Sequence, residues 1–173
     1  MSRLFGPLRQ MGYVVRDIEK AMHHWSTVCG IGPWYYFEKN TFTKFVYDGK
    51  EYNDVHMSAA FANSGEVQVE LIQQKCDTPS MWRDFIQSGR EGLQHWSSWP
   101  ENYDELYERA LANGYTVGHE GIGGRGRFVY FKQEGHTGTI IEMSHLNPTR
   151  KQFFDMVRDA GQNWDGRDPI RRL

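Results

Sequence analysis

Apolar residues recur along this chain with two spacings, every second position over short stretches and every third or fourth over longer ones, and the changes between them mark its elements. Residues 8–15 are rich in strand formers and run directly into a helical pattern over residues 17–25. There Ile18, Ala21, Met22 and Trp25 share one face, and Asp17 and Glu19 supply an acidic first turn with the N-cap at Arg16 or Asp17. Gly30, Gly32 and Pro33 end that helix. Strand-like runs follow at 34–38, 42–47, 55–61 and 66–73, the last two joined as a hairpin through residues 62–65. From 77 to 88 the pattern changes, and Thr78-Pro79 opens a short helix through Trp82, Phe85 and Ile86.

At residue 92 the chain begins a second time. A strand over 93–99 carries His95, a helix over 102–112 turns Leu106 and Ala110 inward, and a strand follows at 115–120. A glycine-rich loop over 121–126, a strand over 127–132, a turn at 134–136 and a final strand over 139–145 complete the unit. Each half reads βαβββ once the run at 42–47, which falls among the first unit's extra residues, is set aside. The predicted fold class is α+β, with a first module over residues 1–76, a helical connector over 77–91, a second module over 92–147 and a C-terminal helix and tail over 148–173. The first unit is the longer, its extra residues falling between Thr41 and Asn53, where an insertion into a hairpin costs little. In the last segment Phe153, Met156 and Val157 have helical spacing, and Trp164, Ile170 and Leu173 favour a tail that packs back on the body over one left in solvent.

The repeat singles out four residues. Alternation puts Val67, Val69 and Leu71 on one face of their strand and Gln68, Glu70 and Ile72 on the other; in the final strand Ile141 and Met143 oppose Glu142 and Ser144. A mid-strand carboxylate alone is as well explained by a wet sheet face as by a site. The repeat changes this, because Glu70 and Glu142 occupy the same place in the two units, as do Gln10 and His95 in the two first strands. Two carboxylates, an imidazole and an amide oxygen form a ligand set for a borderline divalent ion, Zn²⁺, Ni²⁺, Co²⁺, Mn²⁺ or Fe²⁺. Among the other histidines, His23, His24 and His145 read as surface or packing residues and His119 and His136 as solvated, while His56 and Ser58 oppose the apolar Val55, Met57, Ala59 and Phe61 and are candidates for the cavity side. Tyr130 and Trp34 are further candidates to line a substrate pocket in a neighbourhood rich in Tyr35, Tyr36, Trp96 and Trp99. The turn Gly123-Gly124-Arg125-Gly126-Arg127 lacks the strand-to-helix context of a phosphate-binding loop; its arginines, Arg127 first, are candidates for a substrate carboxylate or phosphate, a surface turn being the plainer reading.

Composition narrows the classes. The chain has 173 residues, with ten Phe, nine Tyr and six Trp, enough to build a real interior, and a formal net charge of -2 that gives no reason to expect nucleic acid or an anionic membrane surface as partner. No apolar run reaches membrane-spanning length. Cys29 and Cys76 are the only cysteines, and with no apolar run of signal-peptide length after Met1 the expectation is a cytoplasmic protein with free thiols and a small-molecule partner.

The strings Gln10-Met-Gly-Tyr-Val-Val-Arg-Asp17, Val69-Glu70-Leu71, Gly92-Leu-Gln-His95 and Gly138-Thr-Ile-Ile-Glu142-Met, in this order and spacing, resemble the vicinal oxygen chelate superfamily, which includes glyoxalase I, methylmalonyl-CoA epimerase, extradiol dioxygenases and bleomycin-resistance proteins. The resemblance covers roughly residues 8–146 and implies that the modules form a cupped, partly closed mixed sheet holding one divalent ion on its concave side, with open positions for adjacent oxygens of a substrate. It also implies a homodimer. The set Gln10, Glu70, His95 and Glu142 is similar to the glyoxalase type and implies a lyase or isomerase acting by proton transfer beside a chelated carbonyl, with Glu142 as first choice for the base and Glu70 as second. Extradiol cleavage uses two histidines and one carboxylate, and Gln10 stands where one of those histidines would be, which leaves it an outside possibility. The alternative from another class is a metal-free protein that sequesters an aromatic or drug-like ligand in the same cup.

Overall fold

β1 (Gln10–Val14) leads into α1 (Ile18–Thr27), whose first turn is closed by Asp17, its carboxylate accepting from the Lys20 amide at 3.0 Å. In the computed structural model, which describes residues 2–136 and 140–173, there follow β2 (Trp34–Tyr47), β3 (Lys50–Glu51), β4 (His56–Ser64) and β5 (Val67–Gln74). The connector forms α2 (Met81–Gln87), capped by the Ser80 hydroxyl, which accepts from the Arg83 amide at 3.0 Å. The second half runs β6 (Gly92–Ser98), α3 (Tyr103–Ala112), β7 (Thr116–Gly123), β8 (Gly126–Lys132), a 3-10 turn (Glu134–His136) and β9 (Ile140–Ser144). α4 (Pro148–Gly161) and β10 (Ile170–Arg172) end the chain. The expected start of the last long strand at Thr139, with Gly138 before it, lies outside the described residues.

The strands lie side by side in the order β10-β2-β4-β5-β1-β6-β9-β8-β7, and β7 pairs again with β2, so that the sheet closes on itself as an eight-stranded, barrel-like cup. β1 and β5, β6 and β9, and β10 and β2 are parallel pairs, and the remainder of the ring is antiparallel, so the expected α+β class with a mixed sheet is what the chain adopts. The two halves meet at the antiparallel pair β1–β6. Alternation sorts the side chains. Val14, Tyr35, Met57, Ala59, Phe61, Ile72, Phe128 and Tyr130 point inward and are joined by Trp82 and Phe85 of α2 and Phe154 of α4. Ile18 and Met22 of α1 cover the outer face of the first half against Trp34, Tyr36, Val69 and Leu71, while Leu106 and Ala110 of α3 cover that of the second against Val129, Phe131, Ile141 and Met143.

Three elements differ from the pattern-based expectation, each because a distant partner decides them. The runs over 34–38 and 42–47 form one strand, irregular between Phe37 and Asn40, whose second half leaves β4 and pairs with β7. The extra residues after Thr41 are thus the segment that closes the ring. Much of the glycine-rich loop is strand: Gly121 in β7 lies where an added Cβ would come within 2.8 Å of the Phe128 ring and 2.9 Å of the Lys44 carbonyl, so these glycines serve close strand approach and only Gly124-Arg125 turn. The tail folds back as expected and adds β10 beside the start of β2.

Candidate metal centre

Strand register assembles the site. On the inner face Gly12 of β1 stands between Glu70 of β5 and His95 of β6, and Gln10 stands between Gln68 of β5 and Ser97 of β6, which in turn lies opposite Glu142 of β9. The β1–β6 pair has a local two-fold through Met11 and Trp96. It exchanges Gln10 with His95, Gly12 with Ser97, and Glu70 with Glu142. Gly12 is required at the centre: a Cβ there would collide with the His95 ring, which lies over the β1 backbone.

The four side chains are 2–6% exposed. His95 Nε2 lies 3.6 Å from Glu70 Oε2 and 3.7 Å from Glu142 Oε2, and one ligand atom from each of the three residues falls within 4.8 Å of the other two. Neither Oε2 has a hydrogen-bond partner among the described residues. Burial pushes the Glu70 carboxyl up to about 7, against the opposing pull of Arg125 and Arg150. Burial and the neighbouring Glu70 also raise Glu142, while burial lowers His95 to about 4 despite the charge of Glu142. Two buried carboxylate oxygens aimed at a neutral imidazole nitrogen form a concentration of acceptors with no positive group between them among the described residues. A divalent cation fits this donor set, since it satisfies all three and favours the ionised carboxylates.

Amides behind the site orient the ligands. A bulge where β6 leaves register with β1 puts Gln94 beside His95 within the fold. Gln94 Nε2 donates to the Met81 carbonyl at 2.8 Å, so its Oε1 is the atom facing His95 Nδ1, 3.0 Å away. Nδ1 then carries the proton and Nε2 presents its lone pair to the carboxylates. On the other half Asn63 Nδ2 donates to the Gly65 carbonyl at 3.1 Å, Gln68 Nε2 donates to Asn63 Oδ1 at 3.5 Å, and Gln10 Nε2 donates to Gln68 Oε1 at 2.7 Å. This relay leaves Gln10 Oε1 as the atom turned to the site. The Ser144 hydroxyl donates to Glu142 Oε1 at 2.9 Å, leaving Oε2 unspent.

Gln10, Glu70, Glu142 and Ser144 open on a cavity of about 70 Å³, lined also by Phe42, Met57, Phe61, Trp82, Arg125 and Tyr130. Tyr130 points in, its hydroxyl 3.3 Å from His95 Nε2. The other residues suggested for substrate contact lie elsewhere. Trp34 is fully buried in the outer layer under α1, because on β2 it is Tyr35 and Phe37 that have the inward parity. His56 and Ser58 oppose Met57 and Phe61, and it is this apolar pair, not the polar one, that lines the cavity; the His56 ring instead bonds the Asp54 carbonyl, and the Ser58 hydroxyl donates to the Glu38 carbonyl. Arg127 pairs with Asp104 at 2.8 Å over the Tyr103 ring, outside the cup. His119, expected in solvent, is fully buried against Trp82, Tyr130 and Phe45. Gly12, Gln94 and Arg150 carry weight that sequence reasoning missed, although Gly12 and Gln94 stand in the strings around the proposed ligands; Arg125 is one of the arginines of the glycine-rich turn suggested for a substrate anion, among which Arg127 came first.

The sequence profile described as the Glyoxalase/Bleomycin resistance protein/Dioxygenase superfamily matches residues 9–131. No curated protein matches the sequence significantly. Among solved structures, methylmalonyl-CoA epimerase from Mycobacterium tuberculosis superposes with a TM-score of 0.61 at 15% identity, over 88% of this chain and 95% of that one. A hypothetical protein from Bacillus halodurans C-125 gives 0.59 at 18% identity, over 82% and 94%. A variant of Streptomyces coelicolor methylmalonyl-CoA epimerase in complex with 2-nitronate-propionyl-CoA gives 0.57 at 14% identity, over 82% and 95%. At these identities the likeness is one of fold.

Proposed function

The chain belongs to the glyoxalase/bleomycin resistance protein/dioxygenase superfamily, and from that membership together with the buried Glu-His-Glu cluster we propose that it is a divalent-metal-dependent lyase or isomerase that moves a proton next to a carbonyl of a small organic substrate. The observation that carries this reading is the pair of unpartnered carboxylate oxygens, Glu70 Oε2 and Glu142 Oε2, facing His95 Nε2. Gln10 Oε1, Glu70, His95 Nε2 and Glu142 would hold the ion. When bound, Zn²⁺, Ni²⁺, Co²⁺, Mn²⁺ or Fe²⁺ supplies a Lewis acid that stabilises negative charge on a carbonyl oxygen.

The chain's own groups do the rest. Glu142 is the base: Ser144 holds its Oε1, so Oε2, on loosening from the ion during turnover, would be the atom that takes the proton from carbon. Glu70 faces the same space from the opposite half of the cup, and on loosening from the ion it would return a proton there. Removal at one carboxylate and return at the other is the geometry of an epimerisation. Phe61, Phe154 and Trp82 give the cavity an apolar wall, and burial beside it keeps the carboxylates basic. Sequestration of a bulky aromatic or drug-like ligand is less well supported, since about 70 Å³ falls far short of the several hundred cubic ångströms that drug-sized ligands occupy. A homodimer in a reducing, cytoplasmic setting belongs to the same reading, resting on the family and on Cys29 and Cys76 as free thiols.

The test begins with elemental analysis of protein purified without chelator, followed by titration with Zn²⁺, Ni²⁺, Co²⁺ and Mn²⁺. One ion per chain is expected, lost in His95→Ala. Deuterium incorporation from solvent beside the carbonyl in a panel of small carbonyl compounds, followed by NMR, then reads the proton transfer and should vanish in Glu142→Gln. A protein that binds none of these ions overturns the reading.

A further inference from the structure

Two arginines approach the carboxylate pair, and among the described residues only one of them is hydrogen-bonded to the rest of the chain through its side chain. Arg150, buried on α4, donates through Nη1 to the Arg127 carbonyl at 2.8 Å and the His145 carbonyl at 2.6 Å, and so ties α4 to the end of the β8–β9 pair. Arg125, at the tip of the β7–β8 hairpin, lines the cavity but its guanidinium donates to no acceptor and pairs with no carboxylate among the described residues. It lies instead on three phenylalanine rings, 4.3 Å from the centre of Phe37, 4.8 Å from Phe153 and 5.2 Å from Phe61. The aromatic faces hold the group in place and strip its water, and burial pulls its pKa down to about 10. Rings accept no N–H in the plane of the fork, and with no other acceptor among the described residues its N–H donors are free to bond.

We propose that Arg125 is the anion receptor of the substrate cavity and that the substrate is a small carboxylate whose reacting carbonyl lies beside the Glu70, His95 and Glu142 cluster. This rests on the reading of that cavity as the substrate site. The fork of a guanidinium edge matches the two coplanar oxygens of a carboxylate. A cavity of about 70 Å³ lined by phenylalanine and tryptophan admits a compact planar acid with room for little else. The charge balance agrees: the cluster contributes two carboxylates, a divalent cation offsets them, and Arg125 and Arg150 then stand as uncompensated positive charges until an anionic substrate arrives, Arg125 being the one whose side chain makes no hydrogen bond inside the chain among the described residues.

Calorimetric titration of the zinc-loaded protein with pyruvate and with methyl pyruvate tests this, because the pair shares a carbonyl and differs in the charge. Wild type is expected to bind the acid at least about tenfold more tightly than the ester, the worth of one charge-assisted hydrogen bond. In Arg125→Gln the preference should shrink to within about twofold while zinc affinity is not lowered; Arg125→Lys, which keeps the charge but not the fork, should fall between. An unchanged preference in Arg125→Gln, an ester bound as well as the acid by wild type, or binding of neither compound overturns the proposal. Zinc affinity is measured separately. Should the protein bind no zinc, the metal reading fails by itself, and the same pair titrated into metal-free protein still decides the role of Arg125.

Discussion

Replacing Glu70 by Gln should stabilise the metal-free protein while destroying its affinity for metal, and the size of the gain follows from the site. Burial raises the Glu70 carboxyl from 4.5 to about 7, so at pH 8 the folded chain carries an ionisation cost of about 3 kcal/mol, at 1.36 kcal/mol per pKa unit. Below pH 4.5 the carboxyl is protonated in both folded and unfolded chains and the cost is absent. Between 4.5 and 7 the unfolded chain loses its proton first, so the cost grows as pH rises and is complete above about 7. Glutamine keeps the shape without the charge. In chelator at pH 8, thermal unfolding of Glu70→Gln should therefore lie about 6–12 °C above wild type, for a gain of about 3 kcal/mol and about 2–4 °C per kcal/mol in a chain of this length. At pH 5 the difference should nearly close. Zinc at a hundred times its dissociation constant should raise wild type by about 2.7 kcal/mol and leave the variant almost unmoved. A Glu70→Gln protein that melts below wild type in chelator at pH 8, or that gains as much from zinc, would refute the view that this carboxylate is buried for a cation.

Metal affinity should strengthen with pH up to about 7, by about tenfold per unit where one proton leaves Glu70, with His95, lowered to about 4, offering no competition above pH 5; competition titrations with a chromophoric chelator at pH 5.5, 6.5 and 7.5 would expose a flat profile as contradictory. Gly12→Ala drives a Cβ into the His95 ring, so a folded variant should bind metal at least about a hundredfold more weakly, and undiminished binding would show that His95 is not held over β1 as described. Gln94→Leu frees His95 Nδ1 and should cost about 10–100-fold in metal affinity, with a change in the imidazole nitrogen shifts that signals a mixed tautomer; unaltered shifts would remove Gln94 from its positioning role. Deleting residues 162–173 takes β10 and Trp164 from the edge of β2 and should lower the melting temperature while sparing metal binding, since no residue of that segment touches the cluster; loss of metal binding in a folded protein would count against this separation.

The matched pairs were legible because they are local pattern laid down twice. A strand with Gln10 before one helix and a strand with His95 before another, each followed by a strand with one mid-face carboxylate, need only period-two alternation and the repeat to be read as four residues on one side of a sheet. The registers Gly12–Glu70, Gly12–His95 and Ser97–Glu142 bear out that alternation. His56 shows where the same reasoning fails. Alternation separates two faces but does not say which one is the inside, and in β4 the cavity took the apolar face because the barrel interior is itself apolar.

The chain's periodicity by itself therefore determined the paired strand-helix-strand layout of the two halves, the α+β class and the four residues most worth suspecting. Tertiary structure alone decided the closure of the ring, since residues 42–47 find their partner in β7 more than seventy positions later. It alone placed Trp82 and His119 inside the cup, Trp34 and Arg127 outside it, and Arg125 among three phenylalanines. The physical reason is one of range: a strand's face and a helix's stripe are set by neighbours within a few residues, whereas a side chain's surroundings are set by whichever distant segment the closed sheet brings against it.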